Sequence, residues 1–420
     1  MLNLFLIIAL PAIFGIWWIA LEFHDCSIWE ALRHVASDPD ILLGCYQPPR
    51  LPVAFYFSIW IAFQATLFTI LPGTISMGQP TPAGELLSYK LNGFKCWLVT
   101  VLTILLLWAA GVVDLHFIAL NWRDFLSASA YYAWILAVLA VFKAHWTPSH
   151  LLDREFSGNI FTDMYNGIEL NPRIGKYWDV KLFHNGHCAM TGWTLIDLSF
   201  IALQYEKYGF ITNSILIVSF IRAVVSVDFL WNEDWYLRSI DICEEPFGFY
   251  FTFGSGFFLH FMYTLQSQYL VRHPVSLSHG TAIFLLLLGG TGYGIYYLAS
   301  DQKNAVRRTQ GNCIVGSKRA KCIKAQFVTK DGVTQESLLI RSGLWGVVRH
   351  PNYVGALLMT LAMGGVCGCD SLLPWTESIF AAVFLVMRSL RVDAKCARKY
   401  GQSWNLYREK VRWNLIPGVF

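Results

Sequence analysis

Residues 342–355 read "SGLWGVVRHPNYVG" and run straight into "ALLMTLAMGGV" at 356–366. The second stretch is apolar enough to lie in hydrocarbon; the first is not. Arg349, His350, Asn352 and Tyr353 stand at its edge with glycines at 343, 346 and 355. Ionisable groups at membrane depth are costly and persist where they pair or work. The junction poses two questions: whether the chain crosses a bilayer, and what a basic, aromatic cluster does there.

Composition answers the first. Of 420 residues 55% are hydrophobic and 14% charged, with a mean hydropathy of +0.44; a soluble domain carries roughly 25% charged residues. The apolar residues fall in blocks of about 18 to 25, the length that crosses hydrocarbon as a helix. The expected fold is all-α, a polytopic integral membrane protein with about ten transmembrane helices. The spans lie near residues 2–21, 51–72, 97–120, 126–145, 189–205, 209–230, 247–271, 280–299, 354–369 and 372–391. The first lacks the basic start and small-residue cleavage site of a signal peptide. Trp17, Trp18, Trp97 and Trp146 flank spans, as interfacial aromatics do.

The ten cysteines form no C-x-x-C pair, and no histidine spacing completes a zinc site, so no metal is expected. More than half of the 32 Lys and Arg follow residue 300, which places loop 300–340 and the C-terminal tail on the cytoplasmic side. Membrane lipid is the expected surrounding, and no nucleic-acid partner is expected.

The basic end does more than set topology. Lys303 and Arg307 are four apart in "QKNAVRR" and share a face if helical. In "MRSLRVDAKCARKYG", Arg388, Arg391, Lys395 and Lys399 follow helical spacing. Two such faces with Arg349 suit several phosphates. Trp345, Tyr353, Tyr400, Trp404 and Tyr407 offer rings to a flat heterocycle, and the glycines allow close backbone approach. Snorkelling anchors account for charge alone; a large anionic cofactor with a ring system accounts for charge and rings together.

A second polar stretch, "WNEDWYLRSID", puts Glu233, Asp234, Arg238 and Asp241 between strongly apolar segments. Two readings stand: a short solvated loop with acid–base pairing, or a carboxyl group in an apolar pocket, where such groups hold a proton near neutral pH.

"GIELNPRIGKYWDVKLF", "DFLWNEDWYLRSIDIC", "FGFYFTFG", "YTLQSQYLVRHP", "QKNAVRR", "SGLWGVVRHPNYVG", "CARKYGQSWNLY" and the ending "LIPGVF" occur in this order. From about residue 45 onward the chain thereby resembles the sterol reductase family of carbon-14, Δ7 and Δ24(28) reductases. That resemblance implies reduction of a sterol double bond, Δ7 first, by NADPH in the endoplasmic reticulum membrane. Residues 1–299 would be transmembrane helices with sterol-pocket loops, and 300–420 a C-terminal NADPH-binding transmembrane half with a basic cytoplasmic loop and tail. The family's cofactor contacts would fall on Lys303, Arg307, Trp345, Asn352, Tyr353, Cys396, Ala397, Arg398, Lys399, Tyr400 and Tyr407, with Ile340 where the family usually has Leu; Arg388 joins them from the basic face. An unactivated alkene needs protonation before hydride arrives, so an acid is required, and Glu233, Asp234 and Tyr236 are the candidates in that order.

Two positions depart from the family pattern. Ala356 replaces an aspartate, and Val392 replaces a carboxylate of an R-D-E run, with Asp393 one residue along and turned about 100° on an ideal helix. They leave open a non-catalytic sterol-binding homologue. "RHPNYVG" also resembles a motif of membrane methyltransferases that use S-adenosylmethionine, a third reading.

Overall fold

The computed structural model describes residues 2–328 and 332–420. It is mostly helical. Five helices among the described residues are long and apolar enough to cross a membrane: Asn3–Phe23, Leu51–Ile70, Trp122–Trp146, Asn213–Trp231 and His279–Arg308.

The other expected spans differ in ways that local chemistry explains. The span 97–120 is a 17-residue helix, Gly93–Ala109, followed by a turn at Gly111 (φ +69°) and a short helix Phe117–Leu120. The span 247–271 is broken into Phe249–Phe253, a π-helical segment Gly254–Phe258, Leu259–Met262 and Leu265–Arg272. Before the helix Thr191–Tyr208 stands a second π-helical segment, Phe183–Met190. Such windings are uncommon and are found at functional sites. The spans expected at 354–369 and 372–391 correspond to the helices Pro351–Gly365 and Thr376–Tyr400.

The all-α expectation also needs amendment. Thr74–Pro80 pairs antiparallel with Leu86–Leu91, and Cys322–Val328 with Thr334–Ile340. The second hairpin lies in the stretch expected to be a basic loop, where "CIKAQFV" carries the period-two alternation of a strand with two packed faces.

The chain divides into two compact units. The first comprises Met1–Thr81, Glu85–Ser276 and Cys367–Pro374; the second Pro82–Gly84, Leu277–Val366 and Trp375–Phe420. In the first, Lys181 is fully buried and its ammonium donates to the carbonyls of Asp241 and Glu245, both at 2.7 Å, fastening the segment after "NEDWY". Burial lowers the pKa of Lys181 to about 8. In the second, the helices His279–Arg308 and Pro351–Gly365 cross where Gly292 meets Gly355. A Cβ on Gly355 would lie 2.5 Å from the Gly292 carbonyl oxygen. That glycine therefore serves helix packing, not the approach of a ligand.

The hairpin of the second unit has one apolar residue set on each face. Cys322, Leu338 and Ile340 pack with Val306, Val315 and Trp345. Ile323, Ala325 and Leu339 pack with Cys396, Ala397, Tyr400, Trp404, Tyr407 and Val411.

Candidate functional site

In the first unit, the helix Asn213–Trp231 ends and the chain turns through Glu233–Tyr236. This turn sends Glu233 and Tyr236 inward and leaves Asp234 half-exposed. Glu233 is 3% exposed, and its Oε2 accepts from the amide of Gly93, the first residue of the helix Gly93–Ala109, at 2.8 Å. A Cβ at position 93 would lie 2.4 Å from Glu233 Oε1, so a larger residue there would push the carboxylate aside. His187 Nε2 lies 3.1 Å from that same oxygen. Its ring meets Phe68 at a centroid distance of 4.5 Å.

Tyr236 accepts from Asn185 Nδ2 at 2.7 Å and packs on Phe229. A phenol that accepts in this way still has its own hydrogen to donate. Burial raises its pKa well above the ordinary tyrosine value. Asp234 pairs instead with Arg238 at 3.0 Å, in the half-solvated setting of an ordinary loop. Within "WNEDWY", Asp234 is thus the paired loop carboxylate and Glu233 the buried one.

The partners of Glu233 and Tyr236 come from one π-helical segment, which sequence reasoning passed over. "FHNGHCAM" places Asn185 and His187 where one grips Tyr236 and the other faces Glu233. Three polar side chains in a run this close to apolar sequence were the available signal.

The two π-helical segments pack together, with His184 Cε1 3.1 Å from where a Cβ on Gly256 would stand, and His184 Nε2 opposite the Thr252 carbonyl at 3.0 Å. Beyond Gly256, Phe257 and Phe261 line a cavity of about 430 Å³ with Phe14, Trp18, Tyr131 and Trp134. Arg123, Gln47 and Ser127 form its polar end; Arg123 donates to Gln47 and Ser127 to the Gln47 carbonyl. Its size falls within the roughly 300–1,000 Å³ of small-molecule sites.

In the second unit, Lys303 and Arg307 do share a helix, His279–Arg308. The Lys303 ammonium sits 5.8 Å above the Trp345 ring, whose indole N–H donates to the Ala299 carbonyl at 2.8 Å. Gly343 (φ +61°) makes the tight turn before Trp345. His350 and Tyr353 stack nearly parallel, 7° apart at 4.9 Å. Asn352 Oδ1 and His350 Nε2 are buried atoms without a hydrogen-bond partner. Burial lowers the pKa of His350 to about 3, reinforced by Arg349 and Lys303.

Arg349, expected to face phosphate, is turned inward. It donates to the carbonyls of Val411 (3.1 Å) and Arg412 (2.7 Å) and faces Asp393 at 3.5 Å. Asp393 also reaches Arg408 at 3.7 Å. Arg388 lies over the Phe384 ring, Arg398 is exposed, and Lys399 lies 4.0 Å above the Phe327 ring. Ile340 packs on the Trp345 face of the hairpin, whereas Cys396, Ala397, Tyr400 and Tyr407 pack on the other. Burial raises the pKa of Tyr407. Of the residues carried over from the family pattern, Ile340 and Trp345 therefore lie on one face of the hairpin, and Cys396, Ala397, Tyr400 and Tyr407 on the other. Among the described residues no group of three metal-ligating side chains occurs.

The described residues thus hold a buried carboxyl group against a histidine, a ring-lined cavity and a cation over an indole. The chain belongs to the ergosterol biosynthesis ERG4/ERG24 family, whose profile it matches over residues 16–420. It is 41% identical over 377 residues to the 7-dehydrocholesterol reductase of Xenopus laevis, covering 86% of this chain and 79% of that one. It is 37% identical over 431 residues to the 7-dehydrocholesterol reductase of Danio rerio, covering 98% and 89%. It is 33% identical over 426 residues to the Delta(14)-sterol reductase of Methylotuvimicrobium alcaliphilum, covering 99% and 94%. These matches do not favour the methyltransferase reading.

Proposed function

We propose that this chain reduces the Δ7 double bond of a sterol with NADPH as reductant, in the endoplasmic reticulum membrane, which it crosses about ten times. That it is a sterol-reducing membrane enzyme follows from its family and from relatives of this name along its length. The preference for Δ7 over carbon 14 or Δ24(28) rests on the higher identity to the 7-dehydrocholesterol reductases.

The observation that carries the mechanism is Glu233, buried and held by Gly93 beside His187. A proton delivered from this pocket to the alkene creates a tertiary carbocation, which then accepts hydride. Tyr236 is the second source of a proton, and Asp234, tied to Arg238, is the weakest. The cavity of about 430 Å³ is the proposed seat of the sterol, with its hydroxyl toward Gln47, Arg123 and Ser127.

For the cofactor, Lys303 over Trp345 and the unsatisfied amide oxygen of Asn352 fit a dinucleotide, which presents phosphates, rings and N–H donors. Lys303 and Arg307 would hold phosphate, Trp345, Asn352 and Tyr353 the rings, and Arg388, Arg398 and Lys399 would add basic surface. Ile340, Cys396, Ala397, Tyr400 and Tyr407 would shape the site through the hairpin they pack against. When bound, NADPH supplies the hydride. The division of labour would then fall at 1–299 for sterol and 300–420 for cofactor. Ala356 and Val392 raised a non-catalytic reading; Asp393, beside Arg349 and Arg408, weakens it.

The test is purified protein in lipid nanodiscs with a Δ5,7-diene sterol. The account expects loss of the diene absorbance with NADPH. Persistent absorbance in protein that binds both ligands would refute it.

A further inference from the structure

The Glu233 pocket contains polar atoms that nothing satisfies. His187 is fully buried, and neither of its ring nitrogens completes a hydrogen bond. Glu233 Oε1 is likewise without one, although His187 Nε2 stands 3.1 Å away, close but out of line. Two unsatisfied ionisable groups placed side by side in the interior cost several kcal/mol unless they share charge and proton.

Two features favour one position for that proton. Glu233 Oε2 accepts the amide of Gly93 at the start of a 17-residue helix, where the amide and the helix dipole favour negative charge. Beside His187 stands the ring of Phe68 at 4.5 Å, a surface that suits a cation.

We infer that His187 carries the proton of this pair and gives it to the sterol, with Glu233 as its fixed counter-ion. The inference rests on the reading above, that the proton is delivered from the pocket around Glu233. Nδ1 meets no partner and so keeps a hydrogen free to give. In the step, the N–H bond of His187 breaks and a C–H bond forms at one alkene carbon. The other alkene carbon would take the hydride, with its electron pair, that bound NADPH supplies, leaving NADP⁺. His187 regains its proton from water.

Two variants and one spectroscopic comparison test this. His187→Gln should lower turnover by about 10²–10⁴-fold, the range for a lost general acid, with sterol and NADPH affinities within about twofold of the parent. Full turnover in Glu233→Gln would remove the pocket and the reading above with it. Lost turnover in Glu233→Gln with full turnover in His187→Gln would overturn this inference alone. Should His187→Gln fail to fold, an infrared difference spectrum between the wild type and Glu233→Gln decides. An ionised carboxylate band lost in the variant supports the proton on His187, and a protonated carboxyl band in its place contradicts it.

Discussion

Arg349 and Asp393 meet across 3.5 Å, the first from "RHPNY" and the second from the long helix Thr376–Tyr400, while the arginine also donates to the carbonyls of Val411 and Arg412. The basic residue at the centre of the most recognisable motif thus ties the motif to the C-terminal segment. Backbone contacts run the same way: Arg349 N–H donates to the Trp413 carbonyl and His350 N–H to that of Asn414.

Removing either partner should have unequal consequences. Arg349→Ala leaves two carbonyls and a largely buried carboxylate without their donor, and should cost about 3 kcal/mol or more. Asp393→Ala leaves the carbonyl bonds in place and should cost about 1 kcal/mol. Thermal unfolding in one detergent would compare them; equal shifts would show that the carboxylate, not the carbonyls, dominates.

His350 sets an acid limit on the second unit. Its pKa is lowered to about 3 by burial, then by Arg349 and Lys303, so the folded chain takes up this proton less readily than the unfolded one. The neutral ring's contribution is therefore complete above the unfolded value of about 6.5 and is lost as pH falls from there toward 3, by up to about 1.4 kcal/mol per pH unit. His350→Phe, which keeps the stack on Tyr353, should flatten the fall in melting temperature between pH 6 and 4. An unchanged slope would assign acid sensitivity to other groups.

How much of this was legible in the sequence differs by residue. Glu233 stood out because a carboxyl group between apolar segments is costly, and it is buried. His187 did not, because spacing arguments assume 3.6 residues per turn and Phe183–Met190 is wound as a π-helix. The broken span at 247–271 was invisible for the same reason: hydropathy counts apolar residues but not the winding at Gly254–Phe258. In "CIKAQFV" the alternation of a hairpin was obscured by its charge, so motif spacing could not reveal that Ile340 and Tyr407 pack on opposite faces.

The crossing at Gly292 and Gly355 allows no side chain. Gly355→Ala would bring a Cβ within 2.5 Å of the Gly292 carbonyl oxygen and 2.6 Å of the Tyr296 nitrogen, both backbone atoms. The helices must part, at a cost of about 1–3 kcal/mol or more. Gly290→Ala, with open space around its position, is the control and should melt like the parent.

Lys303→Ala and Arg307→Ala test the proposed cofactor surface without turnover. Each should weaken NADPH binding by about 1.5–3 kcal/mol, the worth of a charged hydrogen bond, while sterol affinity holds. The weakening should shrink with NADH for whichever residue holds the 2′-phosphate. Parent affinity in both variants would remove them from the site.

The central claim is that this chain reduces ring B of a sterol. The most direct measurement is the sterol profile, by gas chromatography and mass spectrometry, of cells lacking their own Δ7 reductase and expressing this chain. The account predicts that Δ5,7-sterols fall and their Δ7-reduced products appear, and that Glu233→Gln abolishes the change. An unaltered profile in cells holding folded protein, or reduction confined to carbon 14 or the side chain, would contradict it.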